Sequence, residues 1–208
     1  MKFVSLSGSI GSGKSTVAAL LSKRGAAIID VDRLSRQLQR PGLPLFDALR
    51  SRWGDAILAA DGCLDREALG RIVFTDLGQL AELTKLIGPA TDAEIIRQAS
   101  AHVNTDRVVV LESALSTRAM YGTTGLVVVA APESVTIARL VEQRGMTEQD
   151  ARARSAAQAR LPERLHNSDF VVENTGDLEE LERQVELLWL WIRTTPDAVA
   201  RPERDIRQ

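Results

Sequence analysis

Eight consecutive residues near the start of the chain have the types and the order that a bound phosphate group requires. They are Gly8, Ser9, Ile10, Gly11, Ser12, Gly13, Lys14 and Ser15, and Thr16 follows them. The glycines allow positive φ angles and a close approach of the backbone to an anion. Lys14 supplies a charge for the β- and γ-phosphates of a nucleotide, and the Ser15 hydroxyl can ligate Mg²⁺. Thr16 can donate to an α-phosphate oxygen.

The segments around this loop are those that a phosphate site needs. The apolar run 3–6 precedes it, and a helical pattern at 17–21 follows it. A strand, a glycine-rich loop and a helix in that order direct successive backbone N–H groups at an anion from the positive end of the helix dipole. An ordinary Gly/Ser loop with a chance lysine is the alternative, but every fixed position is filled. The sequence therefore predicts a nucleoside triphosphate site.

The composition indicates a globular protein with neither a nucleic-acid partner nor a membrane partner. The chain has 208 residues, of which 44% are apolar and 26% charged, and its net charge is −2. No apolar stretch is long enough to span a bilayer, and no secretion signal opens the chain. The single cysteine, Cys63, excludes an intrachain disulfide and is typical of a reducing compartment. We therefore expect a cytoplasmic protein, whose oligomeric state the sequence does not indicate.

Alternating apolar runs and helical patterns predict an α/β fold with a doubly wound parallel sheet of about five strands. The expected strands cover residues 3–6, 26–29, 108–111, 126–130 and 170–172. Parallel strands place their carboxyl ends at one edge of a sheet, where ligands bind. We expect one P-loop domain over 1–194 and a polar, disordered tail over 195–208.

A helical insertion is expected between the second and third strands, over residues 33–104. Asp65 is predicted to cap one of its helices, and Gly88-Pro89 is predicted to break the chain before a long helix that ends near Val103. An insertion of this size at the sheet edge is where an acceptor substrate can be held.

Two carboxylates follow the second strand, at the edge that carries the phosphate loop. Asp32 is the candidate general base, because it can accept the proton of a substrate hydroxyl. A helix cap is the alternative for either aspartate. We assign the cap, or an outer-shell role at Mg²⁺, to Asp30, since two acids exceed what one cap needs.

A basic cluster lies late in this slightly acidic chain. Its members are Arg144, Arg152, Arg154, Arg160 and Arg164. A helical lid over 144–166 that carries arginines would close over the triphosphate and stabilise the charge on the transferring group. A solvated helix face, with Glu148 and Asp150 as i+4 partners, is the alternative, and it accounts for Arg152. Further on, Asn174 is either a turn asparagine or a neighbour of an adenine ring.

The motifs, taken in order, resemble the dephospho-coenzyme A kinase family over about residues 1–190. Residues 6–16 resemble L-T-G-G-I-G-S-G-K-S-T, residues 29–36 resemble I-D-A-D-x-x-A-R, and residues 61–66 resemble D-G-x-L-D-R. The family's R-x-x-x-Q, A-D and N-x-G patterns follow within 144–176. The resemblance implies phosphorylation of the ribose 3′-hydroxyl of dephospho-coenzyme A by ATP with Mg²⁺. It implies Asp32 as the base, Arg144 and Arg154 as lid residues, and Asn174 as an adenine neighbour.

Two signatures on the acceptor side depart from the family pattern. Gly88-Pro89 stands where the family has His-Pro, and residues 113–117 read S-A-L-S-T where it has P-L-L-x-E. Glu112, before the second departure, either takes over a polar role, helps to hold Mg²⁺ or is a tolerated strand-end acid. Two alternatives therefore stay open. One is a related kinase for another hydroxyl acceptor, such as a nucleoside, nucleotide or specialised metabolite, and the other is an ATP-binding regulatory protein with little catalysis.

Overall fold

The computed structural model describes residues 1–114, 116, 120–158 and 161–198. They fall into two compact units. The first combines Met1–Asp30 with the described residues from Gln98 onward, and the second is Val31–Arg97. No helix within these described ranges is long and apolar enough to cross a membrane.

The first unit is built on a parallel sheet of five strands. The strands are β1 (Lys2–Gly8), β2 (Ala27–Asp30), β3 (Val108–Glu112), β4 (Leu126–Ala130) and β5 (Phe170–Glu173). Their order across the sheet is β2-β3-β1-β4-β5, and every pairing is parallel. The predicted doubly wound parallel sheet is thereby confirmed.

Helices cover both faces of this sheet, as the continuous apolar runs predict. On one face, α1 (Lys14–Lys23) and α9 (Leu178–Thr194) pack with Val4 and Leu6 of β1 into a single apolar cluster. Side chains alternate along a strand, so Ser7 points to the opposite face. There it contacts α8 (Leu161–His166). The first unit therefore has three layers.

Two more helices, α6 (Glu133–Arg144) and α7 (Glu148–Ala156), pack against each other after β4. The Oγ1 atom of Thr147 accepts a hydrogen bond from the backbone N–H of Asp150 at 3.1 Å and so caps α7. The same hydroxyl donates to the Asp150 carboxylate at 2.7 Å.

The second unit is helical. It contains α2 (Val31–Leu38), α3 (Pro44–Trp53), a 3-10 turn (Gly54–Ile57), α4 (Arg66–Val73) and most of α5 (Leu77–Ser100). The Asp65 carboxylate accepts hydrogen bonds from the N–H groups of Glu67 and Ala68, so the predicted cap of α4 is confirmed. Leu45, Phe46 and Leu49 of α3 lie in the apolar core of this unit.

The predicted break at Gly88-Pro89 is wrong, because Pro89 lies inside the continuous helix α5. Pro89 has no N–H for the carbonyl of Lys85, and its ring crowds the preceding turn. Packing offsets this cost, because Leu86 and Ala90, on either side, pack against the core of the second unit. Packing therefore outweighs the local preference.

The chain that follows α9 returns to β1. The backbone N–H of Ala198 donates to the Met1 carbonyl at 3.1 Å, and the Nζ atom of Lys2 donates to the carbonyl of Thr195. Residues 199–208, the greater part of the tail that we expected to be disordered, lie outside the described residues. That expectation stays a prediction.

Candidate active site

The phosphate loop lies at the carboxyl end of the central strand. β1 ends at Gly8, α1 begins at Lys14, and β1 is flanked by β3 and β4. Gly13 is the N-cap residue of α1, with φ of 95°, and no described side chain caps this helix. The backbone N–H groups of Thr16 and Val17 both donate to the Gly13 carbonyl, at 3.0 and 3.1 Å. This N-terminus is the positive end of the helix dipole, where an anion is stabilised.

The close packing of the loop explains its glycine at position 8. Gly8 has φ of 152°, and an added Cβ would lie 2.6 Å from the Val129 carbonyl oxygen and 2.7 Å from the Ser12 Oγ atom. The Ser12 Oγ atom is itself buried and has no hydrogen-bond partner among the described residues. A buried hydroxyl in this position fits an anion-binding loop, because a phosphate oxygen would satisfy it.

The ammonium group of Lys14 is held against the phosphate loop by hydrogen bonds. Its Nζ atom donates to the carbonyl oxygens of Gly8 at 2.7 Å and Ser9 at 3.0 Å. The ammonium group therefore lies against the first residues of the loop, where a phosphate group can compete with these carbonyls.

Ser15 and Glu112 together offer oxygen atoms to a metal ion. The Ser15 hydroxyl donates to Oε1 of Glu112 at 3.0 Å. Glu112 ends β3 and is in register with Asp30 at the end of β2. No group of three or more His, Cys, Asp or Glu among the described residues would hold a metal by itself. A site with a small number of hard oxygen ligands from the protein suits Mg²⁺, which takes its remaining ligands from phosphates and water.

Asp32 lies in the first turn of α2, in the second unit, and is exposed. Asp30 directly precedes this helix at the end of β2. The two aspartates are thus separated by one residue at the junction between a strand and a helix. The roles predicted for them stay predictions.

The predicted lid arginines are on two helices. Arg144 ends α6 and Arg154 belongs to α7, and both are exposed without an ion pair to another described residue. Arg152 pairs with Glu148 at 2.7 Å, as its alternative explanation required, and this hydrogen bond raises the pKa of Arg152. Arg160 lies outside the described residues.

Arg164 does not belong to an exposed basic cluster. It is 1% exposed, and its Nη1 atom donates to Ser7 Oγ at 2.6 Å and to the Ser116 carbonyl at 3.1 Å. Its Nη2 atom donates to the carbonyl of Ala114 at 2.8 Å. Burial lowers the pKa of Arg164. Arg164 thus joins β1 to the segment after β3, of which Leu115 and residues 117–119 lie outside the described part.

Two further side chains hold the phosphate loop. The Asn174 amide nitrogen donates to the Ser12 carbonyl at 2.8 Å, and Gln158 Oε1 accepts a hydrogen bond from the Ile10 N–H at 2.8 Å. Arg139 of α6 donates to the Asn174 amide oxygen at 3.3 Å. Gln158 belongs to the R-x-x-x-Q pattern of the sequence, whereas no motif marks Arg139 as a residue of the site.

Residues 2–180 match the dephospho-CoA kinase family model. The chain belongs to this family. A dephospho-CoA kinase from Streptomyces avermitilis is 44% identical over 191 residues, which cover 89% of this chain and 91% of that protein. Another, from Leifsonia xyli subsp. xyli, is 40% identical over 197 residues and covers 93% and 100%. The predicted family and the predicted enzyme class, an ATP-dependent kinase, are confirmed.

Solved structures support the fold assignment. The crystal structure of TT1252 from Thermus thermophilus has a TM-score of 0.77 and 31% identity, and the match covers 91% of this chain and 96% of that one. Dephospho-CoA kinase from Campylobacter jejuni has a TM-score of 0.68 at 20% identity, with 92% and 97% covered, a likeness that concerns the fold alone.

Proposed function

We propose that this chain transfers the γ-phosphoryl group of ATP to the ribose 3′-hydroxyl of dephospho-coenzyme A, in the cytoplasm and with Mg²⁺. The observation that carries the proposal is the family match over residues 2–180, which spans the phosphate loop, Asp32 and Asn174. The geometry of the loop supports the ATP half of the reaction, because the positive end of α1 and the buried Ser12 hydroxyl suit an anion.

The phosphate loop and its neighbours would hold the triphosphate. Residues 8–16 surround its phosphate groups, and the Lys14 ammonium exchanges its carbonyl partners for phosphate oxygens. Ser15 would ligate Mg²⁺, and Glu112 would orient the Ser15 hydroxyl by accepting its hydrogen bond. When bound, Mg²⁺ neutralises negative charge on the β- and γ-phosphate oxygens.

Asp32 would act on the acceptor. Its carboxylate accepts the proton of the 3′-hydroxyl as that oxygen forms a bond to the γ-phosphorus. The bond between the γ-phosphorus and the bridging oxygen breaks, and ADP leaves. Arg144 and Arg154, exposed and unpaired within the described residues, are suited to stabilise charge on the phosphoryl group and to exclude water.

A different hydroxyl acceptor is the second candidate, and the departures at Gly88 and at 113–117 are the observation that favours it. The space beside Gly88 is open, since an added Cβ would meet nothing within 4 Å. A side chain at position 88 therefore has room in this helix, and its absence changes the surface offered to an acceptor.

The test is incubation with Mg-ATP and dephospho-coenzyme A, with the product identified by mass. We expect coenzyme A from the wild type and, because the base is lost, a rate about 10²- to 10⁴-fold lower from Asp32→Asn with ATP binding retained. Asp106→Asn, an exposed aspartate in the loop before β3, is the matched control. Normal turnover by Asp32→Asn would contradict the base assignment. ATP binding without any coenzyme A would instead favour the second acceptor.

A further inference from the structure

The Asn174 side chain is enclosed by the phosphate loop. Asn174 follows β5 directly and is 5% exposed, and its backbone N–H donates to the Ala130 carbonyl at 2.8 Å. The backbone of Asn174 is therefore fixed by the end of β4. From this position the side chain reaches the last residues of the loop.

The contact between Asn174 and the loop depends on Gly13. A Cβ added to Gly13 would lie 2.1 Å from the Asn174 amide nitrogen, so this amide occupies the space that the glycine leaves. The same nitrogen donates to the Ser12 carbonyl at 2.8 Å. The peptide between Ser12 and Gly13 is trans, and its carbonyl and N–H therefore point in opposite directions. A partner that holds the Ser12 carbonyl on one side of the loop directs the Gly13 N–H to the other.

Arg139 decides which way the Asn174 amide is turned. The guanidinium Nη2 atom donates to the Asn174 amide oxygen at 3.3 Å, which leaves the amide nitrogen for Ser12. The other terminal nitrogen, Nη1, is buried and has no hydrogen-bond partner among the described residues. A positive group is thus kept beside the N-terminus of α1, an arrangement that a bound anion would stabilise.

We propose that Asn174, oriented by Arg139, is a positioning residue that fixes the Ser12–Gly13 peptide with its N–H toward the phosphates. In this role Asn174 acts on the binding of the triphosphate and not on that of the adenine ring, in contrast to the adenine contact that the family resemblance implies. It rests on the proposed function only in taking ATP as the natural ligand. Without Asn174 the binding-competent loop is less populated, and the affinity for any polyphosphate falls by that fraction.

The test compares two ligands, ATP and inorganic tripolyphosphate, each titrated with Mg²⁺ into the full chain by calorimetry. Asn174→Leu keeps the branching at Cγ and adds no charge, but removes the donor to Ser12. We expect both affinities to fall by the same factor of about 5- to 30-fold, because this is the range that corresponds to the loss of one buried hydrogen bond. Asn167→Leu, which changes an exposed asparagine, is the control and should bind both ligands as the wild type does.

The ratio of the two losses decides the question. A loss confined to ATP would assign Asn174 to the adenine ring and overturn the proposal. Unchanged affinities with a lower melting temperature would reduce Asn174 to a structural role and also overturn it. If Asn174→Leu does not fold, Arg139→Ala, at a half-buried position, should show the same equal loss for both ligands, but smaller. Wild type that binds both ligands but makes no coenzyme A would contradict the proposed acceptor and leave this comparison valid.

Discussion

Replacing Arg164 by methionine removes a buried charge while nearly keeping the length of the side chain. Arg164 is 1% exposed, and its hydrogen bonds to other described residues include those to Ser7, Ala114 and Ser116. After the change, the Ser7 hydroxyl still donates to the Ser116 carbonyl, so one link between β1 and the segment after β3 remains. The Ala114 carbonyl loses the donor that Arg164 gave it.

The expected cost follows from opposing terms. Hydrogen bonds from a charged donor contribute about 1.5–3 kcal/mol each, so three of them give roughly 4.5–9 kcal/mol. Part of this gain is offset by the desolvation of the guanidinium, which also lowers the pKa of Arg164. Methionine recovers about 1.5–3 kcal/mol through its own burial. We therefore expect Arg164→Met to lower the free energy of unfolding by about 2–4 kcal/mol.

Equilibrium unfolding in urea, followed by circular dichroism, measures this difference. Arg152→Met is the matched control, because Arg152 is exposed and its ion pair with Glu148 lies within one helix. Its midpoint should stay close to that of the wild type. An equal midpoint for Arg164→Met and Arg152→Met would refute the reasoning, since the buried hydrogen bonds would then only balance the cost of desolvation.

Two further changes test the packing of the described elements by thermal unfolding. Pro89→Ala should raise the free energy of unfolding by about 1–2 kcal/mol, because a residue with an N–H replaces an exposed proline inside α5. A lower stability of this variant would show that the proline ring makes an essential contact. Gly125→Ala should lower it by about 1–3 kcal/mol, because the added Cβ would lie 2.7 Å from the Trp191 ring. Unchanged stability would mean that α9 shifts freely to accommodate the methyl group.

The sequence was sufficient where short-range patterns determine the structure. Residues 108–111 and 126–130 form strands because both faces of these strands are buried, which a continuous apolar run indicates. The phosphate loop and the cap at Asp65 depend on residues within a few positions of one another, so their motifs carried the prediction.

Contacts between distant parts of the chain were beyond a single sequence. Arg164 and Ser7 are 157 positions apart, and Asn174 and Ser12 are 162 apart. Nothing in the local sequence distinguishes the buried Arg164 from the exposed Arg152. The helix through Pro89 was also beyond local sequence patterns, because its packing against the core of the second unit outweighs the preference of proline.

The central position of β1 also affects how the protein is made. Residues of β1 are synthesised first, but their partners in β3 and β4 begin only at Val108 and Leu126. At about 5–20 residues per second, the strand waits roughly 6–24 s for its second neighbour. During this time its apolar side chains are open to chaperones or to other chains. The second unit is continuous in sequence and can fold within that interval. On the ribosome, β1 is therefore synthesised early, but its pairing with β3 and β4 is completed late.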